Sequence, residues 1–405
     1  MQPDVFLFDV DGVLVRPGGY RAAVRATLNY FTRYLGLGDL APDDETVAIF
    51  EAQGIPCEWD MVPMLLAHVI DSAVARAEPG MRFASLDAVR DWLAGAPIQN
   101  LAVDYPPMIR RMGPFARPGK APVDWLLEAC LDGQGQALFP HLVGQEVLQE
   151  LFSNTRYLGR SRITTVFETY VLGDAVIARL NDLPVLVRSE SLLAKHDLPL
   201  LAPEMAARLA DLRAADRVRF SAYTARPSVP AGAPAEPLAV YAPEAEMALA
   251  QLNLRPFPLV GSGQMGAAAR KLGEHEERLI KPAPYHALAA IAAAWTGDEP
   301  AALDWMEKIF CYYEREDGCG HTARPALDFA GAALPDGLRL HIFEDSPAGM
   351  RGGVGAVELL GGLGVRVDLR LWGVSTHPEK AAALEATGAR VFPDINTALE
   401  AALRS

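Results

Sequence analysis

Residues 5–14 read Val5-Phe6-Leu7-Phe8-Asp9-Val10-Asp11-Gly12-Val13-Leu14. Four apolar residues in a row, aromatic and β-branched among them, stop on an acid, and a second acid and a glycine follow. The run is too short for a helix and apolar on both of its alternating faces, so it reads as a buried strand that ends at Asp9. Such a strand belongs to a parallel sheet with helices on both sides, and the rest of the chain should then alternate strand and helix.

It does so only after a long interruption. From Tyr20 to Tyr34 the apolar spacing is helical, and it stays helical in pieces, such as Met61 to Val74 and Val123 to Leu131, with breaks at 79–80, 106–107 and 118–119. Strand character returns at Val218 to Tyr223. A helix from Glu244 to Leu252, a strand at Phe257 to Val260 and a helix from Pro282 to Trp295 come next. Strands at Leu338 to Phe343 and Val367 to Val374, a helix from Pro378 to Thr387 and a last strand at Ala389 to Phe392 complete the alternation. The expected fold is α/β: a parallel-sheet core of residues 1–16 and 215–405, with an extra segment at about 296–337. Into it is inserted a large, mostly α-helical domain of residues 17–214.

Composition narrows the function. The chain has 405 residues, 50% hydrophobic and 22% charged, enough for a large core and incompatible with intrinsic disorder. Lys and Arg number 37 against 51 Asp and Glu, a formal charge of −14. That excess argues against nucleic acid and anionic membranes as partners. The start has no basic stretch before its apolar run, and the longest strongly apolar stretch, Ala287 to Trp295, is far short of a membrane span. Cys57, Cys130, Cys311 and Cys319 are too few and too scattered for a disulfide framework. The expectation is a cytoplasmic protein of a reducing compartment.

In an open parallel sheet the ligand lies at the carboxyl ends of the strands. Those ends carry Asp9 and Asp11, then Thr224-Ala225-Arg226-Pro227, then Glu344-Asp345-Ser346, while Ile280-Lys281-Pro282 opens a helix in the same half. Neighbouring carboxylates repel by roughly 1–4 kcal/mol per close pair in a partly wet site. A divalent cation relieves that repulsion, and all-oxygen ligation with few protein donors points to Mg²⁺. The set supports phosphoryl transfer: Asp9 as nucleophile forming an aspartyl-phosphate, and Asp11 as general acid and base. Lys281, the Thr224 hydroxyl and nearby main-chain N–H groups would hold the phosphoryl oxygens.

DVDGVL at 9–14, YTARP at 223–227, IKP at 280–282 and FEDSPAG at 343–349 resemble, in order, the four signature motifs of the haloacid dehalogenase superfamily. The insert matches that family's C1-type cap. The resemblance implies a Rossmann-like core and a phosphatase of the phosphate-handling branch acting on a small phosphorylated metabolite. It implies phosphate binding by Thr224, Ala225 and Lys281, and Mg²⁺ held by Asp9, the Asp11 main-chain carbonyl and Asp345, with Glu344 assisting. The chain departs from the pattern at Gly349, where some relatives carry a second acid, in the 64 residues (345 − 281) from Lys281 to Asp345, and in Gly352, Gly353 and Gly355 inside the last motif's helix.

Other readings stand beside these. A phosphomutase would use the same residues, and a non-catalytic sensor of phosphometabolites would have no use for Asp11. A phosphonate-cleaving enzyme would need a cap lysine, for which the cap offers Lys120 and Lys195. Gly261-Ser262-Gly263-Gln264-Met265-Gly266 matches a dinucleotide fingerprint, but no acid follows at the next strand end, so it reads as a strand-to-helix turn. Cys311, Cys319 and His321 lack standard zinc spacing. Ser346-Pro347 reads as a helix cap. In the cap, Trp59, Arg156, Tyr157, Arg160 and Arg162 are candidates to face substrate.

Overall fold

The computed structural model describes residues 2–55, 57–95, 98–112, 121–134, 138–142, 146–180, 183, 185–232, 238–252, 254, 257–315, 325, 328–329 and 332–405. Six strands form one sheet: β1 Asp4–Phe8, β2 Val218–Tyr223, β3 Leu259–Val260, β4 Leu338–Glu344, β5 Val367–Val374 and β6 Arg390–Phe392. Their order across the sheet is β6-β5-β4-β1-β2-β3, and every neighbouring pair is parallel. The chain builds outward from β1 to β3, then crosses back to β4 on the other side of β1. A crevice at such a switch of direction, outside the carboxyl ends, is where this architecture binds ligands.

Alternation along β1 sorts the core into two layers. Val5 and Leu7 join the cluster that includes Met265, Leu288, Ile291, Phe310 and Met350, from the helices Ser262–Leu272, Pro284–Thr296, Glu299–Glu314 and Pro347–Gly362. Phe6 and Phe8 join Met205, Leu209, Ala245, Phe343, Trp372 and Leu399 on the opposite face, covered by Pro203–Ala214, Glu244–Ala250 and Ile395–Ala402. Both faces are dry, which is why β1 shows no polar alternation.

The chain divides into two compact units, one of Met1–Pro17, Asp197–Pro234 and Val240–Ser405, the other of Gly18–His196 and Ala235–Ala239. The boundary expected at residue 214 is thus corrected to 196. The helix Pro203–Ala214 belongs with the sheet because Met205, Ala206 and Leu209 bury their side chains among Phe220 and its neighbours. The antiparallel ladder of Val15–Arg16 with Leu198–Pro199 also lies in that unit. In the inserted unit the named elements are helices, the longest being Gly19–Tyr34 and Glu58–Ala77. Among the described residues, no helix is long and apolar enough to cross a membrane.

Smaller expectations shift for stated reasons. The strand expected over Phe257 to Val260 is reduced to Leu259–Val260, since Pro258 has no N–H for a ladder. The helix expected from Pro282 begins at Pro284, and Pro282 itself follows a cis peptide. The extra segment contains the helix Glu299–Glu314, whose Trp305, Met306, Ile309 and Phe310 complete the core beside Pro284–Thr296. Gly352 and Gly355 let the helix Pro347–Gly362 lie against Pro282, Ala283 and Pro284, while a Cβ on Gly353 would fall 2.1 Å from Ile342 Cδ1. These glycines cost helix propensity and are kept for close packing. Cys311 is disulfide-bonded, contrary to the reading of a wholly reduced chain, whereas Cys57 and Cys130 are free thiols. Cys319, His321 and Lys120 lie outside the described residues.

Candidate active site

The register pairs Phe8 with Ala222 on one side and with Phe343 on the other. The residues that follow, Asp9, Tyr223-Thr224 and Glu344, therefore emerge at the same end of three adjacent strands. Asp9 donates its N–H to Phe343 O at 3.0 Å, and its Oδ1 accepts the Val10 N–H at 2.8 Å. The Lys281 ammonium sits 2.7 Å from Asp9 Oδ1 and 2.7 Å from Glu344 Oε1, over the face of the Tyr223 ring. Glu344 is fully buried, and its Oε2 accepts the Ser346 hydroxyl at 2.9 Å. Asp345 pairs with Lys380 of the helix Pro378–Glu385.

Carboxylate oxygens of Asp9, Glu344 and Asp345 lie within 4.8 Å of one another. Burial, followed by the charge of Glu344, pushes the Asp9 carboxyl well above the ordinary carboxylate range, with Lys281 opposing. Burial also raises Asp345, against the pull of Lys380. For Lys281 burial works against the charge, but Asp9 and Glu344 outweigh it and hold the ammonium above its ordinary value. Three close acids stand against two ammonium groups, the buried Lys281 and the more exposed Lys380, and their hard oxygen donors suit a small divalent cation.

Local sequence accounts for these positions. Gly12 has φ +73°, and a Cβ there would lie 2.2 Å from Asp345 Oδ2, so only glycine lets the loop after β1 pass this carboxylate. Ser346 caps the helix Pro347–Gly362 by accepting the Gly349 N–H, with Pro347 at the first position, as its sequence predicts. Lys281 is held through its backbone. Its N–H donates to His286 Nδ1 at 3.3 Å, so the protonated nitrogen is Nε2, which donates to Val260 O at 2.9 Å. Burial, then the charge of Lys281, lowers His286 to about 3 and keeps the ring neutral.

Asp9, Lys281, Glu344 and Asp345 are thus brought together. The Asp11 carboxylate is engaged by a residue that the sequence reading left unassigned. Arg226 donates from Nε to Asp11 Oδ2 at 2.9 Å and from Nη2 to Asp11 Oδ1 at 2.5 Å. Thr224 is buried and accepts the Arg226 N–H at 3.2 Å, and Ala225 between them is exposed. Ser221 donates its hydroxyl to Ala290 O within the core. Lys380 also escaped the sequence reading. Its signal was the helix start His377-Pro378, which follows a strand of the same parallel sheet and so opens at the sheet's carboxyl edge.

The remaining motifs have ordinary partners. Gly261 and Gly263 let the helix Ser262–Leu272 start against Ser228, and Gly263 donates its N–H to Ser228 Oγ at 3.1 Å, so protein fills the space of the supposed fingerprint. Inside the inserted unit Arg156 pairs with Asp60 and covers Trp59, whose indole N–H donates to Glu168 at 2.6 Å. Arg162 pairs with Asp87 and lies over Tyr34, and Arg160 covers Tyr157.

No family model matches the chain, and no curated protein matches it. Among solved structures, it is similar to an X-ray structure of a Northeast Structural Genomics Consortium target, ZR25, with TM-score 0.62 and 15% identity over 100% of this chain and 98% of that one. A phosphatase from Thermococcus thioreducens, Tt82, aligns at TM-score 0.39 and 15% identity over 94% and 99% of the two chains, too low a likeness to carry an argument. What the first similarity shows is the fold: an α/β protein built on a six-stranded parallel sheet flanked by helices.

Proposed function

We propose that the chain is a Mg²⁺-dependent phosphohydrolase of the haloacid dehalogenase type, acting on a small phosphorylated metabolite. The observation that carries this reading is the Lys281 ammonium between Asp9 and Glu344 with Asp345 alongside, at the switch point of the sheet. A nucleophilic carboxylate with a buried cation beside it and further acids for a metal is a site for phosphoryl groups.

Asp9 attacks phosphorus, and the bond to the leaving oxygen breaks as the aspartyl-phosphate forms. Asp11 gives its proton to that leaving oxygen, then takes one from the water that attacks the aspartyl-phosphate, which releases inorganic phosphate and restores Asp9. Lys281 neutralises phosphoryl oxygens and is kept in place by Glu344. Asp9 and Asp345, with the Asp11 carbonyl and Glu344 in support, would hold Mg²⁺, which when bound draws charge from the phosphoryl oxygens and keeps Asp9 ionised.

The test is phosphate release from p-nitrophenyl phosphate and a panel of sugar, nucleotide and acid phosphates, with Mg²⁺, with EDTA, and with Asp9→Asn. Turnover lost in both controls is the expected result. Turnover that survives Asp9→Asn sinks the nucleophile assignment. Isomerised product without free phosphate decides for a mutase.

A further inference from the structure

Arg226 takes no part in the chemistry just described, yet its side chain is 1% exposed. Its guanidinium is spread between two carboxylates. Nε and Nη2 face Asp11, at 2.9 and 2.5 Å, and Nη1 stands 2.8 Å from Oδ2 of Asp197, whose side chain is wholly buried. The backbone of Arg226 is pinned as well: its N–H donates to Thr224 Oγ1 at 3.2 Å, and its carbonyl accepts the Ser262 N–H at 3.0 Å. A planar fork held at both ends has little freedom to move, and it matches a carboxylate through two parallel bonds.

We propose that Arg226, anchored from behind by Asp197, is the positioning residue that sets the rotamer from which Asp11 exchanges protons. The inference rests on Asp11 being the acid and base of the proposed hydrolase. The fork occupies two lone-pair sites of the carboxyl, one on each oxygen, which leaves a site for the proton that Asp11 gives to the leaving oxygen and, once Asp11 is ionised, a site to accept one from water. Asp11 is one-third exposed and has rotameric freedom of its own; the fork removes it. Asp197 holds the far edge of the guanidinium, so the fork directs Asp11 instead of following it. Neither Arg226 nor Asp197 needs to touch substrate in this role.

The role predicts a dependence on the leaving group. An alkyl phosphate departs as an alkoxide and needs Asp11's proton, whereas p-nitrophenolate departs unaided. The experiment measures kcat/KM for both substrates, with Mg²⁺, in wild type, Asp9→Asn, Arg226→Lys and the double variant Arg226→Met with Asp197→Asn. Arg226→Lys keeps the charge and loses the fork. The double variant removes both buried charges together, and thermal melting checks each protein. The ratio of alkyl to p-nitrophenyl kcat/KM should fall roughly 10²-fold in both variants, the size expected when a catalytic group is misplaced by about 1 Å. Adding Asp11→Asn to the double variant should then lower the alkyl rate no further.

An unchanged ratio in folded variants whose wild type depends on Asp9 overturns the positioning role and leaves the hydrolase standing. A proportional loss on both substrates does the same, since it marks a merely structural role. A rise in the ratio also overturns it, because the fork would then be restraining Asp11 from reaction. Turnover indifferent to Asp9→Asn, or absent with both substrates, takes down the hydrolase reading and this inference with it.

Discussion

A Cβ placed on Gly349 would lie 1.6 Å from Oε1 of Glu344, the oxygen that receives Lys281. The first turn of the helix Pro347–Gly362 and the carboxylate at the end of β4 thus share a space in which only a hydrogen fits. The residue where some relatives of the resembled family carry an acid is here a clearance for one. In Gly349→Ala, Glu344 must swing away and Lys281 loses a partner. Turnover of p-nitrophenyl phosphate should fall at least about tenfold, and stability in urea should drop by roughly 1–3 kcal/mol, the usual cost of overpacking. Wild-type values on both measurements would show that Glu344 has another place to go.

The same helix offers a contrast. A Cβ on Gly353 would meet the buried Ile342 side chain at 2.1 Å, whereas one on Gly361 would meet nothing within 4 Å. Gly353→Ala should therefore destabilise by roughly 1–3 kcal/mol, and Gly361→Ala should stabilise by up to about 1 kcal/mol, because only the second exchanges glycine's entropy for alanine's propensity without a clash. Urea unfolding of both variants checks the pair. Equal shifts would mean that Ile342 yields freely.

Lys380 is the cation that Asp345 already has. A divalent ion at the acidic cluster competes with it, so Lys380→Met should bind Mg²⁺ severalfold more tightly, read by titration calorimetry on the whole chain. Weaker binding in the variant would show that Lys380 orders Asp345 for the metal.

Asp71, buried in the helix Glu58–Ala77, accepts the His141 N–H at 2.8 Å and is pushed up to about 6 by that burial. The folded value lies above the unfolded one, so the folded state binds the extra proton in between. The stabilisation is fully present below the ordinary value of 3.8 and is lost as pH rises through about 6. Asn keeps the acceptor and carries no charge. Asp71→Asn should raise the urea midpoint above wild type at neutral pH and lose that advantage near pH 4, and an equal offset at both would remove Asp71 as the source.

Much of this architecture was legible because burial on both faces writes itself as unbroken apolar runs: Val5 to Phe8, Val218 to Tyr223 and Leu338 to Phe343 all became strands within a residue of their expected ends. Leu259–Val260 was overestimated because an apolar run says nothing about a proline's missing donor. The acids and Lys281 were legible because strand ends in a parallel sheet converge. Arg226 was in plain view within YTARP, but sequence does not say which way a side chain turns, and its two carboxylates come from positions 11 and 197. Lys380 lies 35 residues (380 − 345) beyond its partner, on a helix whose pairing only the sheet order reveals.

The short ladder of Val15–Arg16 with Leu198–Pro199, extended by the Leu200 N–H to Leu14 O bond of 2.8 Å, places the departing and returning stems side by side. With those stems tied, the closure entropy of the intervening loop is spent at its neck, and further lengthening there adds only a logarithmic increment. The helix Pro203–Ala214 then serves as an ordinary crossover between β1 and its parallel neighbour β2. Sequence between the stems can consequently grow, shrink or be exchanged without shifting the strand register that aligns Asp9 with Glu344. To the sheet, everything from residue 18 to residue 196 is one hairpin turn.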